Sequence, residues 1–134
     1  MTEKPDPLLE LIVDAMLQRK VIAPILLDVQ DLTSVADYFI ICSGSSSRQV
    51  AAIAQTIKKE LKQHKYKPIS IDGLKEGQWV LMDFGHVVIH IFYDPVRNFY
   101  DLESLWADAA RLKTPGLEKF EAAAMQVQEK NDDV

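Results

Sequence analysis

The sequence predicts an α/β domain with a mixed β-sheet of about five strands and flanking helices. Three observations carry that prediction. First, the stretch WVLMDFGHVVIHIF, Trp79 to Phe92, sets two apolar runs around Asp83-Phe84-Gly85, and glycine takes the left-handed backbone that a tight reversal needs. It reads as a β-hairpin. Second, Tyr38 to Ser43 is an apolar run feeding a Gly-Ser loop, after which Val50, Ile53, Ala54, Ile57 and Leu61 recur at helical spacing. Third, Leu8, Leu11, Ile12, Ala15 and Met16 follow Pro7 at intervals of three and four, the apolar stripe of a helix lying on a core.

In chain order, Pro7 to Arg19 is the first helix. Val21 to Val29 is β-branched and aliphatic but interrupted by Pro24, so a strand is expected over Pro24 to Val29 with the proline at its start. The polar link Asp31 to Asp37 is too short for a parallel crossover, so Tyr38 to Ser43 should pair antiparallel with that strand if the two are neighbours. Ser46 with Gln49 forms a capping-box pattern that opens a helix over Ser47 to His64. A short strand follows within Lys67 to Asp72, parallel to Tyr38 to Ser43 through a right-handed crossover. After the hairpin, Asp94-Pro95 breaks the strand, and Asn98 caps a helix with Phe99, Leu102, Leu105 and Trp106 on one side. Residues 1–113 are expected to form the domain, and residues 114–134 a tail. That tail is either a short helix along Leu117, Phe120, Ala124 and Val127 or disordered, with a frayed EKNDDV end.

The hairpin's second arm alternates Val87, Ile89 and Ile91 with His86, Val88 and His90, so the odd positions should face a core and the even ones a more polar surface. A two-residue turn at Phe84-Gly85 gathers Val80, Met82, Val87 and Ile89 on one face and leaves Trp79, Leu81, Asp83, His86 and His90 on the other. A three-residue turn with Gly85 left-handed spares Phe84 a positive φ but slips the first arm by one residue. Clean segregation favours the first.

Composition narrows the function classes. The 134 residues hold 48% hydrophobic and 26% charged residues, an ordinary globular balance. Fifteen Lys and Arg against twenty Asp and Glu give a net charge of -5, which argues for little direct nucleic-acid binding and suits a basic protein partner. The single Cys42 allows no internal disulfide. No apolar run approaches the roughly 20 residues of a membrane span, and the acidic, proline-bearing N-terminus is unlike a signal or transit peptide. A cytoplasmic protein is expected, with no cofactor, no metal and no membrane.

Catalytic readings find little support. His86 and His90, four apart on a strand, would stand about 13 Å from each other, too far to share a zinc ion. Cys42 lies within YFIIC without a positioned base. Ser43 to Ser47 could cradle a phosphate at a helix N-terminus, but no GxGxxG or GK[ST] accompanies it, and no acidic pair follows for two-metal chemistry.

Three ordered motifs, LLDVQDLTSVADYFIICSGSSSRQVAAIA, DGLKEGQWVLMDFGHVVIHIF and RNFYDLESLW, resemble the ribosomal silencing factor family, also called Iojap, over about Val21 to Trp106. The resemblance implies a nucleotidyltransferase-like fold without catalysis. It also implies a factor that binds the large ribosomal subunit through its fourteenth protein, blocks joining of the small subunit and represses translation when nutrients are scarce. Homodimers off the ribosome are implied as well. Carried onto this chain, the docking residues are Trp79, Phe84 and Tyr100, with acidic support from Asp83 and Asp101. His86 departs from the family, which usually has Asp there. The competing reading of Trp79 and Tyr100 is core packing, and the rival function is a residual nucleotide-binding enzyme.

Overall fold

Alternation along the central strands gives the sheet two apolar faces, and that fact positions everything else. The structure, a computed structural model, describes residues 6–132; the N-terminal stretch 1–5 and residues 133–134 lie outside the described residues, and of the EKNDDV end expected to fray the part up to Asp132 is helical. The strands are β1 (Ile22–Asp28), β2 (Tyr38–Gly44), β3 (Ser70–Asp72), β4 (Trp79–Asp83), β5 (Val87–Tyr93) and β6 (Ala110–Arg111), in the order β3-β4-β5-β2-β1-β6. β2 and β5 pair in parallel, and the other neighbours are antiparallel.

The mixed sheet with flanking helices matches the expected class, with six strands rather than five. The sixth, two residues long, pairs Leu27 with Arg111 and Asp28 with Ala110, and nothing in so short a stretch announces a strand. β2 and β3 run in the same direction, as expected of the segments joined by the long helix, but β5 and β4 lie between them. The hairpin fills the gap that a simple crossover would leave closed.

One face carries Leu26, Ile40, Cys42, Val80, Met82, Val87, Ile89 and Ile91 beneath α1 (Pro7–Met16) and α2 (Ser47–Gln63). Leu8, Leu9, Ile12, Val13 and Met16 of α1 and Val50, Ile53, Ile57 and Leu61 of α2 are buried there. Asp6 caps α1, accepting from the Leu8 amide at 2.9 Å, and Ser46 caps α2, accepting from the Gln49 amide at 3.1 Å. α5 (Pro115–Asp132) adds Leu117 to the same layer. The opposite face carries Leu27, Val29, Phe39, Ile41, Val88 and Phe92, covered by residues of α3 (Asp94–Tyr100), α4 (Leu102–Leu105) and the following Trp106.

Several boundaries differ from expectation for local reasons. α1 stops at Met16 rather than Arg19. β1 starts at Ile22, before Pro24, because the register is interrupted between Ile22 and Ile25 and Ala23 takes a φ of 46°, so the missing proline donor is not called on. The helix expected from Asn98 begins instead at Asp94, with Pro95 in the first turn where its fixed φ suits helix entry. It ends at Asp101, whose left-handed φ of 47° separates α3 from α4.

The hairpin register is the main correction. Asp83 opposes Val88 and Trp79 opposes Phe92, so the reversal lies at Gly85-His86, one residue beyond Phe84-Gly85. Phe84 donates its amide to the Val87 carbonyl at 2.9 Å, Gly85 takes a φ of 92°, and the Asp83 carboxylate accepts from the Gly85 amide at 2.7 Å. Glycine thus occupies the first central position, where positive φ is needed, and Phe84 is spared it. Each residue of β4 keeps its expected face, but its partner is two residues further along β5. The expected polar face is corrected too, since Val88 and His90 are buried in the second core.

A candidate aromatic docking site

Trp79 opens β4 and projects onto the second face. It stacks on Phe92 with ring centroids 4.9 Å apart, and its Nε1–H donates to Nδ1 of His90 at 3.2 Å. That bond places the imidazole proton on Nε2, which is buried without a partner. Burial holds the His90 pKa down, from 6.5 to about 4, because a buried imidazolium loses its hydration. Phe39 meets His90 edge-on at 5.1 Å and Trp106 likewise at 5.1 Å.

On its outer side Trp79 meets Tyr100 at 5.0 Å, and Tyr100 meets Phe99 edge-on at 5.3 Å. The rings therefore form a continuous series from the buried Phe39 to Phe99, which is 83% exposed, with Tyr100 54% exposed between. Gln78, Trp79, Pro95, Val96, Phe99 and Tyr100 line an open hollow of about 390 Å³. Exposed aromatic rings over a packed aromatic base supply apolar contact area at little cost in side-chain ordering.

Arg97 holds this arrangement in place. Only 6% exposed, it donates from Nη1 to the Ile22 carbonyl at 3.2 Å and to Ser43 Oγ at 3.1 Å, and from Nε to Glu103 at 2.6 Å. One guanidinium thereby ties α3 to β1 and β2 and to α4. Asp101 at the α3 end is exposed beside Tyr100 and accepts from the Ser104 hydroxyl.

The residues expected from the sequence divide into two groups. Trp79, Tyr100 and Asp101 come together. Asp83 shares the Trp79 face but lies four residues along β4, about 13 Å away, where its carboxylate serves the hairpin turn. Phe84 packs on the other face, against the α1 and α2 core. The rings thus gather at the end of the hairpin opposite Gly85. Phe99 and Arg97 join this candidate site although the sequence does not single them out for it. Phe99 was expected to share a packed side with Leu102, Leu105 and Trp106, but the left-handed Asp101 breaks the helix after Tyr100, so that common side does not exist; no local pattern distinguishes Arg97.

The chemistry considered earlier is disfavoured by geometry. Burial pushes the Cys42 thiol up to about 12, against a smaller opposite pull from Arg97, so it stays protonated and unreactive at neutral pH. Ser43 is fully buried. In the adjoining loop the Ser45 amide donates to Gln49 at 2.7 Å, Ser46 caps the helix, and Ser47 Oγ accepts from Gln78 at 3.0 Å. Gly77 passes so close above Ser47 that a Cβ there would lie 2.6 Å from the Ser47 carbonyl. The helix N-terminus is capped and covered, which leaves poor room for a phosphate. His86 Nε2 meets Asp6 at 2.8 Å and His90 meets Trp79, so the two imidazoles face different partners.

Fold and site define a single-domain α/β protein with a mixed sheet and an aromatic patch at one sheet end. A family model described as "Ribosomal silencing factor during starvation" matches residues 2–134. A ribosomal silencing factor from Halalkalibacterium halodurans is 36% identical over 110 residues, covering 82% of this chain and 94% of that protein. A crystal structure of a Chromobacterium violaceum protein superposes with a TM-score of 0.75 at 34% identity, covering 78% of this chain and 88% of the other. A more distant mouse relative, named "Mitochondrial assembly of ribosomal large subunit protein 1", is 37% identical over 73 residues, 52% of this chain and 32% of that protein. The chain belongs to the ribosomal silencing factor family, a family of ribosome-associated regulators of translation.

Proposed function

We propose that this protein binds the large ribosomal subunit through its fourteenth protein and sterically blocks joining of the small subunit, repressing translation when nutrients are limiting. It works as a binding protein in the cytoplasm, without catalysis, and pairs as a homodimer off the ribosome. The observation that carries the proposal is the aromatic patch in which exposed Phe99 and Tyr100 extend from the half-buried Trp79, flanked by Asp101, on a chain of net charge -5. Aromatic anchors with an acidic rim suit a basic protein partner, and obstruction needs an interface of ordinary size but no reaction. The family's name and that of the mouse relative point the same way.

The test is a subunit-joining assay. Isolated small and large subunits are mixed with rising protein and the joined particle is followed by sedimentation. A saturable fall in joined particles, with the protein travelling on the large subunit alone, is the expected result. Undiminished joining at saturating protein overturns the proposal.

A further inference from the structure

The chain is acidic overall, yet residues 58–67 read KKELKQHKYK, with five lysines against Glu60 alone. Lys58 and Lys62 stand one turn apart on α2, both exposed. Like charges at that spacing repel weakly, and a polyanion laid across both would relieve that repulsion. Beyond the helix Lys65 takes a left-handed φ of 67°, and the Tyr66 amide donates to the Leu61 carbonyl at 2.9 Å. That reversal brings Tyr66 and Lys67 back beside Lys58 and Lys62. The four line an open concavity of about 440 Å³ whose other wall is Pro68, Ile69, Ser70 and Ile71. Glu60 faces a different cleft, with Asp14, Gln18 and His64. Among the described residues the ion pairs are His86 with Asp6, Arg97 with Glu103 and Lys113 with Glu121, so the three lysines of the concavity have no carboxylate partner there.

We propose that this concavity binds the phosphodiester backbone of RNA, with Lys58, Lys62 and Lys67 at phosphates and the Tyr66 ring against a base. Clustered cations beside an exposed aromatic ring are what single-stranded RNA requires, and they are what the chain's total charge conceals. An acidic peptide adding a strand to β3 is disfavoured, because β3 is three residues long and Pro68 beside it offers no amide donor. The choice of RNA among polyanions rests on the ribosomal reading above.

The test is fluorescence anisotropy of a labelled single-stranded RNA oligomer over a salt series. Three phosphate contacts predict a log-log salt slope of about -2. The triple variant Lys58→Glu, Lys62→Glu, Lys67→Glu loses saturable binding, and Tyr66→Ala weakens it about tenfold. A Phe99→Ala, Tyr100→Ala variant retains it. Overturning results are absent binding by the natural chain at low salt, equal binding by the triple variant, or preferential binding to phosphatidylglycerol vesicles or polyglutamate. Because the probe is naked RNA, its failure leaves co-sedimentation with large subunits intact, and the two proposals fail separately.

Discussion

The two faces of one sheet are built from alternate residues of the same strands, yet they do different work. Beneath α1 and α2, Ile40, Cys42, Val80, Met82, Ile89 and Ile91 make a dry aliphatic layer. On the other side Phe39, Trp79, His90, Phe92 and Trp106 form an aromatic layer that contains an imidazole and an arginine ion pair, under two helices of seven and four residues. Long helices seal the first face. Short ones leave the second open at Tyr100 and Phe99, so the difference in cover separates the part that stabilises from the part proposed to meet a partner.

Mutations on each side sharpen the contrast. The largest effect is expected on the sealed face, where Ile89→Ala should cost about 4 kcal/mol from the cavity it leaves, measured by urea unfolding, while the folded fraction still binds large subunits. Arg97→Met should cost about 3 kcal/mol, because Glu103 and the Ser43 hydroxyl lose the buried donor that joins them. Its loss also frees α3, so subunit affinity should fall with stability. An Arg97→Met variant as stable as the natural chain would remove the clamp from the account.

The aromatic layer should also carry a pH signature. The folded imidazole of His90 takes up its proton only near 4, whereas the unfolded one does so near 6.5. Unfolded chains therefore bind the extra proton first as pH falls, and stability declines through that window by up to roughly 3 kcal/mol, while above it this group contributes no pH dependence. His90→Asn keeps an acceptor for Trp79 and should flatten that part of the curve. Identical slopes for the two proteins between about 6.5 and about 4 would contradict the burial of His90.

Much of this was legible in the sequence. Periodicity located α1 and α2, though not the full length of the 18-residue α5, and alternation assigned Val80, Met82, Ile89 and Ile91 to one face despite an error in the turn. The register escaped because sliding β4 by two residues against β5 preserves which residues share a face; only the preference of Gly85 for the first turn position decides it. The polarity of the second face escaped for a different reason. His90 reads as surface, but its one acceptor bond to Trp79 and its aromatic neighbours admit it to a core. The site divided along the same line: Tyr100 and Asp101 follow directly in chain from α3, whereas the separation of Phe84 from Trp79 depends on strand parity and length. Arg97 acts through Ile22, Ser43 and Glu103, contacts that only the folded chain assembles.

The open end of the aromatic layer is tested most directly by co-sedimentation of a Phe99→Ala, Tyr100→Ala variant with isolated large subunits. Both rings are largely solvent-exposed, so the variant should unfold in urea as the natural chain does while losing about 2 kcal/mol or more of affinity, roughly thirtyfold. A folded variant that travels with large subunits as fully as the natural chain would contradict the assignment of this surface.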